Sequence, residues 1–180
     1  YKGRDSRTVV ADSILVDLDR AIRYLGTAKS PTRISRWTAL ALKSRFCLYE
    51  GTYRKYHPEL GLTESAERFL TECVNASAEL IADGGYSAYN MGKISDYGDM
   101  FTATAPNAEF ILARTYDKAL SMVHSMNYVL LNSTYYAGAG MTRQMVESYL
   151  MKDGTFFSSR PGADRMTFAE ECANRDLRLA

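Results

Sequence analysis

One stretch, Arg33 to Tyr53, constrains the fold more than any other part of this chain. It reads as a helix with small residues on one side. Ala39 and Ala41 let a second helix approach closely, while Leu40, Phe46 and Leu48 supply apolar bulk. Ser35 is a natural N-cap, Gly51 reads as the stop, and Tyr53 follows soon after. A helix built this way needs a partner helix, as in a helix-turn-helix repeat.

The flanking segments supply candidate partners. Val10, Ile14, Leu18, Ile22 and Leu25 recur at helical spacing and predict a first helix over 7–25, capped by Asp5 or Ser6 and ended by Gly26. The second helix is expected over 35–50. Thr52 to Leu62, with Pro58 and Gly61, reads as a loop. Ala66, Phe69, Leu70, Cys73, Ser77, Leu80 and Ile81 mark the buried side of a third helix over 63–82, broken by Asp83-Gly84-Gly85. Short links between helices predict an antiparallel stack.

After Gly85 the texture changes. Residues 86–108 are rich in Tyr, Gly, Asp and Asn and read as loop. Glu109 to Arg114 suits a short strand or extended segment, and Ser121 to Ala139 shows no sustained period. A short helix is expected over 142–150 and a last helical turn over 167–172. The expected fold class is mainly α: a tetratricopeptide-like helix-pair stack, an α-α superhelix, over residues 1–85, with a long irregular segment over 86–180. Together these form a single domain.

Charge and cysteine content narrow the function classes. A net charge of +1 gives no basic field, which argues against a general nucleic-acid binder. No segment reaches the roughly 20 apolar residues of a membrane-spanning helix. Cys47, Cys73 and Cys172 are widely spaced. Cys47 and Cys73 fall in helical apolar patterns and are expected reduced and buried, although a disulfide between them is conceivable. His57 and His124 are too scattered to suggest a metal site, and no cofactor motif is present.

Five segments, in order, carry a family resemblance. They are Arg33 to Tyr53 with Arg45, Leu48 and Tyr49; Ala82-Asp83-Gly84-Gly85-Tyr86 to Tyr89; Tyr97-Gly98-Asp99-Met100-Phe101 with Asn107-Ala108-Glu109-Phe110-Ile111; Thr142 to Tyr149 with Asp153-Gly154; and Arg175-Asp176-Leu177-Arg178-Leu179. This series resembles the SusD/RagB family of surface glycan-binding lipoproteins. Two departures are Leu177 where the family usually has Pro and Glu147 where it has Asp.

The resemblance implies an outer-membrane, cell-surface protein for nutrient uptake and polysaccharide utilisation. It would bind a glycan or oligosaccharide, deliver it to a SusC-like TonB-dependent transporter, and touch the membrane only through a lipid anchor. With no initial Met or signal segment, the chain is expected to be the central part of a longer protein, the anchor lying outside it. The alternative is a helical-repeat scaffold that binds only protein.

Thirteen Tyr residues suit either reading, because a Tyr ring packs in helical cores and also stacks on sugar C–H faces. The candidate ligand-binding residues are Asn127, Tyr128, Tyr135 and Tyr136, rings with nearby amides in an unpatterned segment. Padding of the loop against the helices is the competing reading. Asp96, Asp99, Glu109, Glu170, Glu171 and Asp176 are available as acids, but sequence cannot pair them for glycoside hydrolysis. No nucleophile motif or P-loop is present, so no catalytic residue is assigned and the protein is read as a non-enzyme. Arg175, Asp176 and Arg178 suit either a ligand clamp or a structural ion-pair cluster.

Overall fold

Capping chemistry sets where the helices begin. The Ser6 hydroxyl accepts the Val9 N–H at 3.4 Å and opens α1 (Arg7–Tyr24). The Ser35 N–H donates to the Thr38 hydroxyl at 3.3 Å at the head of α2 (Arg36–Tyr56). A single 3₁₀ turn, Thr63–Ser65, leads into α3 (Ala66–Asp83). This computed structural model describes residues 3–89, 92–103, 105, 107–132 and 140–179. The protein is mainly helical, and no strand occurs among the described residues. The chain divides into two compact units, residues 1–89 with 105–114, and residues 90–104 with 115–180.

In the first unit, α2 packs on both α1 and α3. Side-chain pairs fix the directions. Arg7 of α1 meets Glu50 late in α2, and Lys43 of α2 meets Asp19 late in α1. Arg36 at the start of α2 meets Glu79 at the end of α3, and Arg54 at the end of α2 reaches Ser65 at the start of α3. Both neighbours of α2 therefore run antiparallel to it.

Two apolar clusters hold the unit. One joins Ala11, Leu15, Cys47 and Phe69, with Phe46 and Cys73 against it. The other joins Trp37, Leu40 and Ala76, covered by Ile22, Leu80, Tyr86 and Ile111. Each large side chain buried this way contributes about 1.5–3 kcal/mol. The Trp37 indole N–H is satisfied by the Thr27 carbonyl at 2.8 Å.

Several helix faces differ from the sequence expectation. The buried side of α1 is Ala11, Leu15 and Leu18, whereas Val10 and Ile14 are exposed. Positions 10/14 and 11/15 lie side by side on a helix, and hydropathy favoured the bulkier pair although close packing selects Ala11. Leu48 is exposed on α2, and Ile81 on α3 is 80% exposed.

Gly51 does not stop α2; the helix continues to Tyr56, over part of the expected loop. The reason is a close approach by α3. A Cβ on Gly51 would lie 2.8 Å from Leu70 Cγ and Cδ2 and 3.2 Å from the Ala66 carbonyl oxygen. The missing side chain makes the crossing possible. Gly51→Val should force α3 outward and lower stability by roughly 1–3 kcal/mol. The check is a lower urea midpoint at unchanged slope; an unmoved midpoint would show that Leu70 yields freely.

The break after α3 is as expected. Gly84 ends the helix with its N–H on the Leu80 carbonyl, and Gly85 takes φ +59°. Residues 105–114 then return to this unit. Of these, 107–112 contain turns and bends and no strand forms over 109–114, with the Ala113 N–H on the Pro31 carbonyl at 2.6 Å. The Asn107 side chain accepts the Glu109 N–H, and the Glu109 carboxylate accepts the Tyr89 N–H at 2.7 Å.

Cys47, Cys73 and Cys172 are all free thiols. Cys47 is fully buried, and burial pushes its thiol up to about 11. Cys73 is only half-buried, contrary to expectation, with its sulfur 3.6 Å from the Ser44 hydroxyl.

The second unit contains α4 (Ile94–Thr102), α5 (Met126–Leu131), α6 (Arg143–Ser148) and α7 (Phe168–Cys172), linked by turns and isolated β-bridges. α4 and α5 lie in stretches that the sequence presents as irregular. At nine and six residues, they complete too few turns to display a period. α6 and α7 match the two expected short helices. The buried residues here are Met100, Phe157 and Arg175.

Candidate functional site

Of the four candidate ligand residues, Tyr128 alone has a described side chain. It lies on α5 and is 60% exposed. Asn127 is the preceding residue of the same helix, and its side chain lies outside the described atoms. Tyr135 and Tyr136 fall outside the described residues altogether. The four are thus not brought together in what is described.

The other singled-out residues take local structural roles. His124 accepts the Met126 N–H at 3.3 Å through Nδ1, and its ring stands edge-on to Tyr116 with centroids 4.8 Å apart. Glu170 receives both the N–H and the hydroxyl of Thr167, completing the capping box of α7. Glu109 is held by Tyr89 as described above. No cluster of three His, Cys, Asp or Glu close enough to hold a metal ion occurs among the described residues. No described helix is long and apolar enough to cross a membrane.

The segment Arg175 to Arg178 separates into two devices. Asp176 and Arg178 pair at 2.6 and 3.0 Å, and that hydrogen-bonded contact holds the Asp176 carboxyl down to about 2. Arg175 turns inward instead and is 1% exposed. One of its Nη atoms donates to the Glu171 carbonyl at 3.1 Å. The other donates to the carbonyls of Val146 and Tyr149 at 2.7 and 2.8 Å. Its guanidinium lies 4.2 Å from the Phe157 ring centroid. One side chain thus ties together the ends of α6 and α7 and the 3₁₀ turn Phe157–Ser159. Among the described residues its partners are backbone carbonyls and a ring rather than a carboxylate, and its Nε has none.

Phe157, on which the Arg175 guanidinium stacks, also lines a cavity of about 200 Å³ within the second unit. Arg143, Glu147, Phe157, Ser158, Arg160 and Asp164 line it. Arg143 and Glu147 face each other one helical turn apart on α6, joined by a 2.6 Å contact. Gly162, at φ +75°, makes the turn that carries Asp164 round to the cavity. Arg160 Nη1, like Arg175 Nε and like Arg54 Nη2 of the helical unit, is shielded from water and has no hydrogen-bond partner. Sequence reasoning missed this cavity. Its residues lie on three short elements joined by turns, and the Pro161-Gly162 pair was the one local signal that the chain folds back there.

A second cluster of charge belongs to the helical unit. Glu50, 2% exposed, receives Arg7 at 2.7 and 3.2 Å and Arg54 at 2.8 Å. Arg54, 1% exposed, continues to the Ser65 hydroxyl at 2.7 Å and lies 4.4 Å from the Phe69 ring centroid. Arg7 lies 4.0 Å over Tyr53, whose other neighbours are Tyr49 and His57. Arg54 Nη2 is shielded from water without a hydrogen-bond partner, and the remaining contacts make the cluster a clasp between helices. No family profile, curated protein or solved structure matches this chain.

Proposed function

We propose that this chain is a surface glycan-binding protein of SusD/RagB type that captures an oligosaccharide at the outer membrane and passes it to a TonB-dependent transporter. The observation that carries the reading is the ordered series of five segments from Arg33 to Leu179. Several residues of that series do framework work of the kind such motifs perform. Asn107 and Glu109 pin a return segment, and Arg175 ties three elements together. The antiparallel helix trio is the piece from which a tetratricopeptide-like superhelix is built, and we read it so.

In this reading, binding rather than hydrolysis is the activity. Tyr128, Tyr135 and Tyr136 supply ring faces, with Asn127 adding amide hydrogen bonds. Hydrogen bonds to well-hydrated hydroxyls give only about 0.5–1.5 kcal/mol each, so ring stacking supplies much of the selectivity. The test is calorimetry of the chain against a panel of neutral and acidic oligosaccharides. Changing Tyr135 and Tyr136 together to Ala should weaken binding about tenfold or more, since each ring is worth about 0.5–1.5 kcal/mol, with the far-ultraviolet helical signal unchanged. Unaltered affinity would remove the two rings from the site.

A scaffold reading draws on Val74 and Ile81, both exposed and seven residues apart on one side of α3. It predicts no oligosaccharide binding at all in the same titrations.

A further inference from the structure

We infer that the cavity beside Arg175 seats a single uncharged sugar ring. This rests on the glycan reading and names the ligand class at a site distinct from the tyrosines.

Size comes first. About 200 Å³ is below the roughly 300–1,000 Å³ of pockets for drug-sized ligands. It suits one ring and not a chain of them.

Charge comes second. Two guanidiniums, Arg143 and Arg160, face two carboxylates, Glu147 and Asp164. The lining is balanced, so a ligand with net charge meets attraction and repulsion together. A hydroxyl is matched to such a lining, because it donates to a carboxylate while accepting from a guanidinium. Ser158 adds a hydroxyl that can do either.

Rigidity comes third. Arg175 holds the Phe157 ring and the end of α6 through one side chain, so that part of the wall is ordered before a ligand arrives. Preorganised walls reduce the entropy lost on binding. Phe157 also gives the cavity an apolar floor against which C–H groups can rest.

The experiment titrates the chain with methyl α-glucoside, methyl β-galactoside and methyl α-mannoside, and separately with glucuronate and glycine. Amide shifts and saturation transfer are read by NMR. At least one neutral glycoside should move the amides of Ser158, Gly162 and Asp164. Ser158→Trp, which fills the opening from an exposed position, and Asp164→Ala should each weaken that binding at least tenfold while signals elsewhere stay in place. The inference is overturned if no neutral glycoside moves these amides, if glucuronate or glycine binds there as tightly, or if both variants bind like the parent. The two proposals separate cleanly. Oligosaccharide binding by calorimetry with silent cavity amides sinks the cavity alone, whereas absence of any oligosaccharide binding sinks the glycan reading with it.

Discussion

Glu50→Gln should be the most damaging single change in the helical unit, costing about 3–5 kcal/mol. The substitution keeps shape and volume, so the loss measures charge and hydrogen bonding. Without the carboxylate, Arg54 remains buried with no counter-ion, and the single amide oxygen of Gln cannot serve Arg7 and Arg54 as two carboxylate oxygens do, while its NH2 meets a guanidinium donor. A domain has only about 5–15 kcal/mol of stability in total, so much of the unit's margin would go.

Acid should do reversibly what the substitution does permanently. Burial pushes the Glu50 carboxyl up, but the hydrogen bonds from Arg7 and Arg54 outweigh it, and the carboxyl sits below its ordinary value. A depressed folded-state value stabilises the fold above the unfolded value near 4.5. That stability is lost as pH falls through the folded value. The difference in urea midpoint between parent and Glu50→Gln should therefore shrink as pH drops below about 4.5. A constant gap would show that Glu50 contributes no charge-dependent stability.

Arg175→Met should loosen the second unit by about 2–4 kcal/mol. It takes a donor from the carbonyls of Glu171, Val146 and Tyr149, of which Val146 keeps the Tyr149 N–H at 3.3 Å, at roughly 1–3 kcal/mol for each one left unsatisfied. The relief from desolvating one charge offsets part of this. Hydrogen exchange should speed up over 146–159 and 171–176, while the amides of α1, α2 and α3, which Arg175 does not touch, keep their protection. Arg175→Lys should rescue little, because a single ammonium cannot span three carbonyls and stack on Phe157 in the same pose. Uniform loss of protection across both units would instead mark a global role.

The contrast between these two residues shows what the sequence made legible. The three long helices were readable because each spans several turns and ends at a recognisable signal: Ser6 or Ser35 at the start, Gly84 at the end. Burial within them was less so. A helical period gives a face only to within one position, and contact with a neighbour chose Ala11 over Val10. Gly51 was misread for a related reason, since a glycine that ends a helix and one that admits another helix look alike until the crossing point is known. In Arg175-Asp176-Leu177-Arg178 the alternation of charge suggested one cluster. Burial split it, because an Arg can satisfy its donors on backbone carbonyls that leave no mark in the sequence. The cavity was least visible, since turn geometry, not periodicity, brings its lining residues to one place.

The first unit is discontinuous along the chain. Residues 105–114 bring Ile111 onto the cluster of Trp37, Leu40 and Ala76 and fasten to Pro31 and Tyr89. A ribosome that has released the chain only as far as Tyr89 has therefore made these three helices but not their lid. During that interval the Trp37 cluster lacks the Ile111 side chain that covers it. Synthesis of residues 90–104 is thus a window of exposed apolar surface, open to chaperones, and a gene cut after the codon for Tyr89 would make that window permanent.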